Sequence, residues 1–137
     1  MHDRDYDPRY LRFFECFNQQ LFFEAHEVLE GLWRPQRQGP NGPFYKGLIQ
    51  LAGAFVHLQK NRLGPAAMLF ELARENMRSY PATHEGLAVA SALVLIEDWL
   101  SKLRSAAATS NPFTPAVAPQ LHLQPPGQGT DEPDGAV

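Results

Sequence analysis

Residues 21–34 read Leu21-Phe22-Phe23-Glu24-Ala25-His26-Glu27-Val28-Leu29-Glu30-Gly31-Leu32-Trp33-Arg34, and Pro35 follows. On a helical wheel of about 100° per residue, Leu21, Ala25, Val28, Leu29 and Leu32 share one face, which Phe22 and Trp33 extend on one side. Glu24, Glu27, Gly31 and Arg34 define the opposite face. An apolar arc this wide must be covered by neighbours, so the segment is one rod of a helical assembly. No segment alternates with period two for long enough to make a sheet.

Breakers mark the other rods. Asp7-Pro8 combines an N-cap with proline at the first helical position, which predicts a first helix carrying Leu11, Phe14 and Phe17 and ending near Asn18-Gln19-Gln20. The loop from Pro35 to Pro43 holds three prolines and two glycines and excludes helix. A third helix is expected from Phe44 to about Lys60. Gly64-Pro65 starts a fourth, in which Ala66, Leu69, Phe70, Ala73 and Met77 keep helical spacing as far as Tyr80-Pro81. Thr83 predicts the cap of a fifth helix, with Glu85 in its first turn, running to about Arg104. The expected fold class is all-α: an up-and-down bundle of four or five helices with an extended or disordered C-terminal tail.

Composition sets the boundary of that bundle. Of 137 residues, 44% are apolar and 20% charged, an ordinary balance for one globular domain. After Arg104 there are six of the twelve prolines, no Lys or Arg, and one aromatic, Phe113. Such a stretch buries little apolar surface against its ordering entropy, so residues 1–104 are expected to form the domain and residues 105–137 a mostly disordered tail. Within the tail, Leu121-His122-Leu123 can lie extended on the domain, because its two leucines then point the same way.

Charge and targeting signals narrow the function classes. Up to Arg104 the twelve basic residues balance twelve acidic ones, and no Lys/Arg cluster exceeds two residues. A nucleic-acid partner is therefore not expected. The longest uncharged apolar run, Gly86 to Ile96, is too short to span a bilayer, and the charged start Met1-His2-Asp3-Arg4-Asp5 lacks a secretory apolar core. A single cysteine, Cys16, fits a reducing compartment. The expectation is a cytoplasmic protein with no membrane partner.

Two polar stripes interrupt the apolar faces. His26 and Glu30 lie between Trp33 and Phe23, on the aromatic shoulder of the second helix, and at spacing i, i+4 their side chains can touch. The third helix is apolar around most of its girth, except for a stripe of Lys46, Gln50, His57 and Asn61 flanked by Gly53 and Ala54. Glycine inside a helix costs about 1 kcal/mol against alanine, so it points to a packing or access reason. Antiparallel packing across the Pro35–Pro43 loop would bring His26 and Glu30 towards Gln50 and His57, over the gap left by Gly53 and Ala54.

Known motifs are absent. His26-Glu27-Val28-Leu29-Glu30 approaches the zinc-protease spacing, but Glu30 stands where the second histidine belongs. No Glu-x-x-His pair, P-loop, dinucleotide fingerprint or nucleophile elbow is present.

Phe17-Asn18 followed by residues 22–34, and Lys46-Gly47-Leu48-Ile49-Gln50-Leu51-Ala52 with His57 and Asn61, resemble the two signature blocks of a small helical family, domain of unknown function 309. The resemblance runs roughly from Pro8 to Leu100. It departs at Gly64-Pro65-Ala66, where the family pattern reads Gly-Ala. It implies a multi-helical up-and-down fold and no assigned reaction. The family's signature residues map onto His26, Glu27, Glu30, Trp33, Gln50 and His57.

Three functional readings follow. In the first, a His/Glu/Gln pocket binds a small molecule, and the aromatic surface supports a homo-oligomer. In the second, a divalent metal sits on His26, Glu30 and His57, with Glu27 or Gln50 handling a water, in a hydrolase-like enzyme. In the third, the polar groups only specify helix register.

Overall fold

The computed structural model describes residues 6–105 and 110–124. Five α-helices dominate: α1 (Pro8–Asn18), α2 (Phe22–Trp33), α3 (Gly42–Gln59), α4 (Leu63–Met77) and α5 (Val89–Ser105). Consecutive helices pack on one another, α1 on α2, α2 on α3, α3 on α4 and α4 on α5, which makes an all-α up-and-down bundle. No described helix is long and apolar enough to cross a membrane.

Local chemistry sets the helix ends. The Asp7 carboxylate accepts from the Arg9 backbone N–H at 2.8 Å, capping α1 ahead of Pro8. Gln20 takes φ 66° beyond α1, and Asn61 takes φ 59° beyond α3. At each end two backbone bonds close the last turn: Leu21 N–H to Cys16 O and Gln20 N–H to Phe17 O after α1, Arg62 N–H to His57 O and Asn61 N–H to Leu58 O after α3. Both ends are Schellman caps, and Asn61 is one of the few residue types that enters the left-handed region cheaply. Asn61 therefore leaves the polar stripe of α3 and serves as an exposed cap. A short 3-10 turn, Arg34–Gln36, occupies part of the loop expected to hold no helix. Proline at its start is tolerated because its missing N–H would have been unpaired there anyway.

The core is aromatic and centred on Phe55 of α3. Its ring meets Phe17 of α1 at 5.8 Å, Phe22 of α2 at 5.1 Å, Phe70 of α4 at 5.2 Å and Trp99 of α5 at 5.3 Å. Most of these contacts are edge-to-face, the arrangement ring quadrupoles favour. Leu11, placed on the apolar face of α1 by spacing, is 41% exposed, while Tyr10 and Phe13 are buried in its stead. The glycine at 47 brings α3 against α4, since a Cβ there would run into Met77 Cγ and lie 3.3 Å from the Ala73 carbonyl.

Two expectations need correction. Thr83 and Glu85 do not begin α5. Instead β1 (Thr83–His84) pairs antiparallel with β2 (Leu87–Ala88), His84 opposite Leu87. The two-residue turn Glu85-Gly86 has φ 50° and 75°, the positive pair a primed hairpin turn demands. Tyr10 Oη donates to the Glu85 carbonyl at 2.8 Å, and a Cβ at position 86 would overlap the Tyr6 hydroxyl. His84 thus sits on a strand, 2.7 Å from Asn41 Oδ1.

The second correction concerns the tail, from which residues 110–124 separate as part of the fold. Phe113 stands 6.1 Å from Phe22, 5.9 Å from Phe55 and 6.1 Å from Trp99. Asn111 Nδ2 donates to the Leu58 carbonyl at 2.6 Å, and Gln124 N–H donates to Gly86 O at 2.8 Å. Leu121 is buried and Leu123 packs on the core, while His122 between them is exposed, so the extended docking of this tripeptide is present. The disorder expected beyond Pro125 lies outside the described residues.

Candidate functional site

The amphipathic registers of α2 and α3 set the polar residues at the margin of the core. The apolar arc of α2 buries Phe22, Ala25, Leu29 and Leu32, and the charged face of Glu24, Glu27, Gly31 and Arg34 is exposed. His26, Glu30 and Trp33 lie between, half-buried. On α3 the half-buried residues are Lys46, Gln50, Gly53, Val56 and His57, with every other position from Phe44 to Leu58 buried.

These two margins border one cleft of about 280 Å³. Helix α2 contributes Phe23 and His26, and α4 contributes Leu69. The remaining wall is α3, with Lys46, Ile49, Gln50, Gly53, Val56 and His57. The open space at Gly53 is real but narrow, since a Cβ there would stand 3.2 Å from Leu69 Cδ1. Ala54, expected beside it in the gap, is fully buried in the core.

The polar groups differ in their partners. Gln50 Oε1 accepts from Asn76 Nδ2 of α4 at 2.7 Å. The Lys46 ammonium lies over the Trp33 ring, 4.4 Å from its centroid. His26 stacks on Phe23, ring centroids 5.9 Å apart. Nδ1 of His26 and Nδ1 of His57 are both buried, and among the described residues neither has a hydrogen-bond partner. Burial holds His57 below the ordinary histidine range, and the Arg62 and Lys60 charges add to the effect.

Of the six residues singled out in the sequence, the cleft gathers His26, Gln50 and His57. Glu27 is exposed, and Glu30 turns to Arg34, with Oε1 3.4 Å from its guanidinium. Trp33 stands behind Lys46 and does not line the cleft. The metal-ligand set expected from sequence is not the one that converges. Among the described residues, ligand atoms of His26, Glu27 and Glu30 gather within 4.8 Å of one another, without His57. The reason is helical geometry: Glu30 stands one turn beyond both His26 (i+4) and Glu27 (i+3), whereas His57 is reached only across the cleft.

Lys46 was visible in the stripe, but its place at the cleft was not singled out. Asn76 was missed altogether. Its signal was an amide in the last turn of an otherwise good helix, where it is a poor helix former.

Residues 10–69 match the family model described as a domain of unknown function, DUF309, a shorter span than the resemblance from Pro8 to Leu100. The match takes in most of α1, all of α2 and α3 and about the first half of α4, and hence every residue that lines the cleft. No curated protein matches the chain. The stretch of chain that builds the cleft is thus the stretch that is similar to the DUF309 family, a domain of unknown function.

Proposed function

We propose that the protein is a binding domain that holds a small molecule in the cleft between α2, α3 and α4. The observation that carries this reading is that His26, Gln50 and His57, which interrupt the apolar faces of two successive helices, border one cleft. Buried polar atoms normally find partners, and the unpartnered Nδ1 atoms speak against imidazoles placed to complete a hydrogen-bonded core. A cleft of about 280 Å³ suits a compact ligand, at the small end of known sites. The setting expected from the lone, buried Cys16 is a cytoplasmic one. A fragment screen on the full chain, followed by backbone amide shifts, tests the reading. Perturbations should cluster at His26, Gln50, Gly53 and His57, and fragments that perturb only other surfaces would sink it.

A second reading is favoured by the convergence of His26, Glu27 and Glu30. A divalent cation there would act as a Lewis acid beside the cleft, as in a metal-dependent hydrolase. It ranks second because Glu27 is exposed and Glu30 already faces Arg34. Metal analysis of untagged protein decides it, because a stoichiometric ion lost in His26→Ala would put this reading first.

A further inference from the structure

The polar side chains that line the cleft are chiefly donors. Gln50 Oε1 already accepts from Asn76, while its amide nitrogen has no hydrogen-bond acceptor among the described residues and is open to a ligand. Each histidine ring lines the cleft while its Nδ1 is buried, so the edge facing the cleft carries Nε2. A buried N–H without an acceptor is rarer than an acceptor without a donor, which puts the proton of a neutral ring on Nε2. A protonated ring donates from Nε2 as well. Lys46 adds an ammonium, and the ion pairs among the described residues do not include it. None of the described residues lining the cleft is acidic. Around these donors the walls are apolar, with Phe23, Ile49, Val56 and Leu69.

We infer that the cleft takes a small carboxylate with a compact apolar body, its head at Lys46 and Gln50, one turn apart on α3, and its body running past Ile49 and Leu69 towards His26 and His57. The inference rests on the reading of the cleft as a binding site and adds its chemistry. An acceptor-only head is the complement of the Lys46 ammonium and the Gln50 amide, and one ammonium balances one negative charge. A phosphate dianion would leave a half-buried charge uncompensated, which is costly. A cation would meet Lys46 and the Gln50 amide, both of the wrong polarity.

The test titrates the full chain with hexanoate, 1-hexanol and hexylamine, three heads on one carbon skeleton, and follows the amides of Gln50, Gly53 and His57. Hexanoate should bind about tenfold tighter than 1-hexanol, with hexylamine weakest. Lys46→Met should bring hexanoate down to the level of 1-hexanol and leave the alcohol unchanged. Gln50→Glu, which sets an acid among the donors, should lose hexanoate and gain hexylamine, so the result does not hang on one variant. If the alcohol or the amine binds as tightly as hexanoate, the carboxylate assignment is overturned while the binding-site reading stands. If no probe moves the cleft amides, both fall.

Discussion

The Asn18 side chain holds the Leu121 backbone from both directions: Nδ2 donates to the Leu121 carbonyl at 2.8 Å, and Oδ1 accepts the Leu121 N–H at 2.8 Å. The two residues are 103 positions apart, and the amide imitates the strand neighbour that an extended segment on an all-α bundle lacks. This pair and the Phe113 ring fasten residues 110–124 over the Phe22–Phe55–Trp99 cluster.

Asn18→Ala should therefore cost about 1–2 kcal/mol through two lost hydrogen bonds, and Phe113→Ala about 2 kcal/mol, below the full core value because the ring is only half-buried. Chemical denaturation of both variants and of the double variant measures this. Wild-type stability in all three would show that the segment is not fastened to the bundle in solution.

Gly47→Ala gives a test in which two effects oppose. Alanine improves helix propensity by about 1 kcal/mol over glycine. Against that, the added methyl would meet Met77 Cγ and the Ala73 carbonyl where α3 and α4 touch. Overpacking of this kind costs about 1–3 kcal/mol. Net destabilisation is expected in urea melts, and a stabilised variant would refute the close approach of the two helices.

His57 ties stability to pH. Its folded pKa lies below the ordinary value because burial disfavours the imidazolium, and Arg62 and Lys60 repel it. The unfolded chain takes up this proton near about 6.5, before the folded chain does. Above that value the group adds no pH dependence. Below it stability declines, and the loss is complete once the pH passes the folded pKa. The non-titrating variant His57→Gln should lose fewer degrees of melting temperature than wild type between about pH 7.5 and about pH 5.5. Equal losses would remove His57 from the account.

His26 and His57 border the same cleft from different helices. A double-mutant cycle of His26→Ala and His57→Ala should show non-additivity of at least about 0.5 kcal/mol, as side chains that share a cavity do. Strict additivity would separate the two stripes energetically and favour independent structural roles.

How much of this was legible in the chain depends on how local the cause is. Caps and breakers act over a few residues, so Asp7-Pro8 and Pro35–Pro43 declare α1 and the long loop directly. Helical periodicity is equally local, and the wheel put His26, Gln50 and His57 at the margins of their apolar arcs, where they are found. Thr83 to Gly86 misled because threonine followed by an acid resembles a helix start. What makes the segment a hairpin comes from elsewhere: Tyr10 holds the Glu85 carbonyl, and Tyr6 leaves room at position 86 for no side chain.

The same distinction divides the site. The side chains of one helix face follow from the sequence of that helix, and so does the grouping of His26 with Glu27 and Glu30. Which atoms of those side chains are free does not. Gln50 becomes a donor because Asn76 of α4 occupies its oxygen. His57 borders the same cleft as His26 because α3 packs on α2. Residues 110–124 enter the fold because Asn18, Leu58 and Gly86 supply backbone partners that a proline-rich segment cannot supply to itself. Backbone preference and amphipathic period are properties of neighbours in the chain, whereas hydrogen-bond satisfaction is a property of neighbours in space, and only the tertiary structure brings those together.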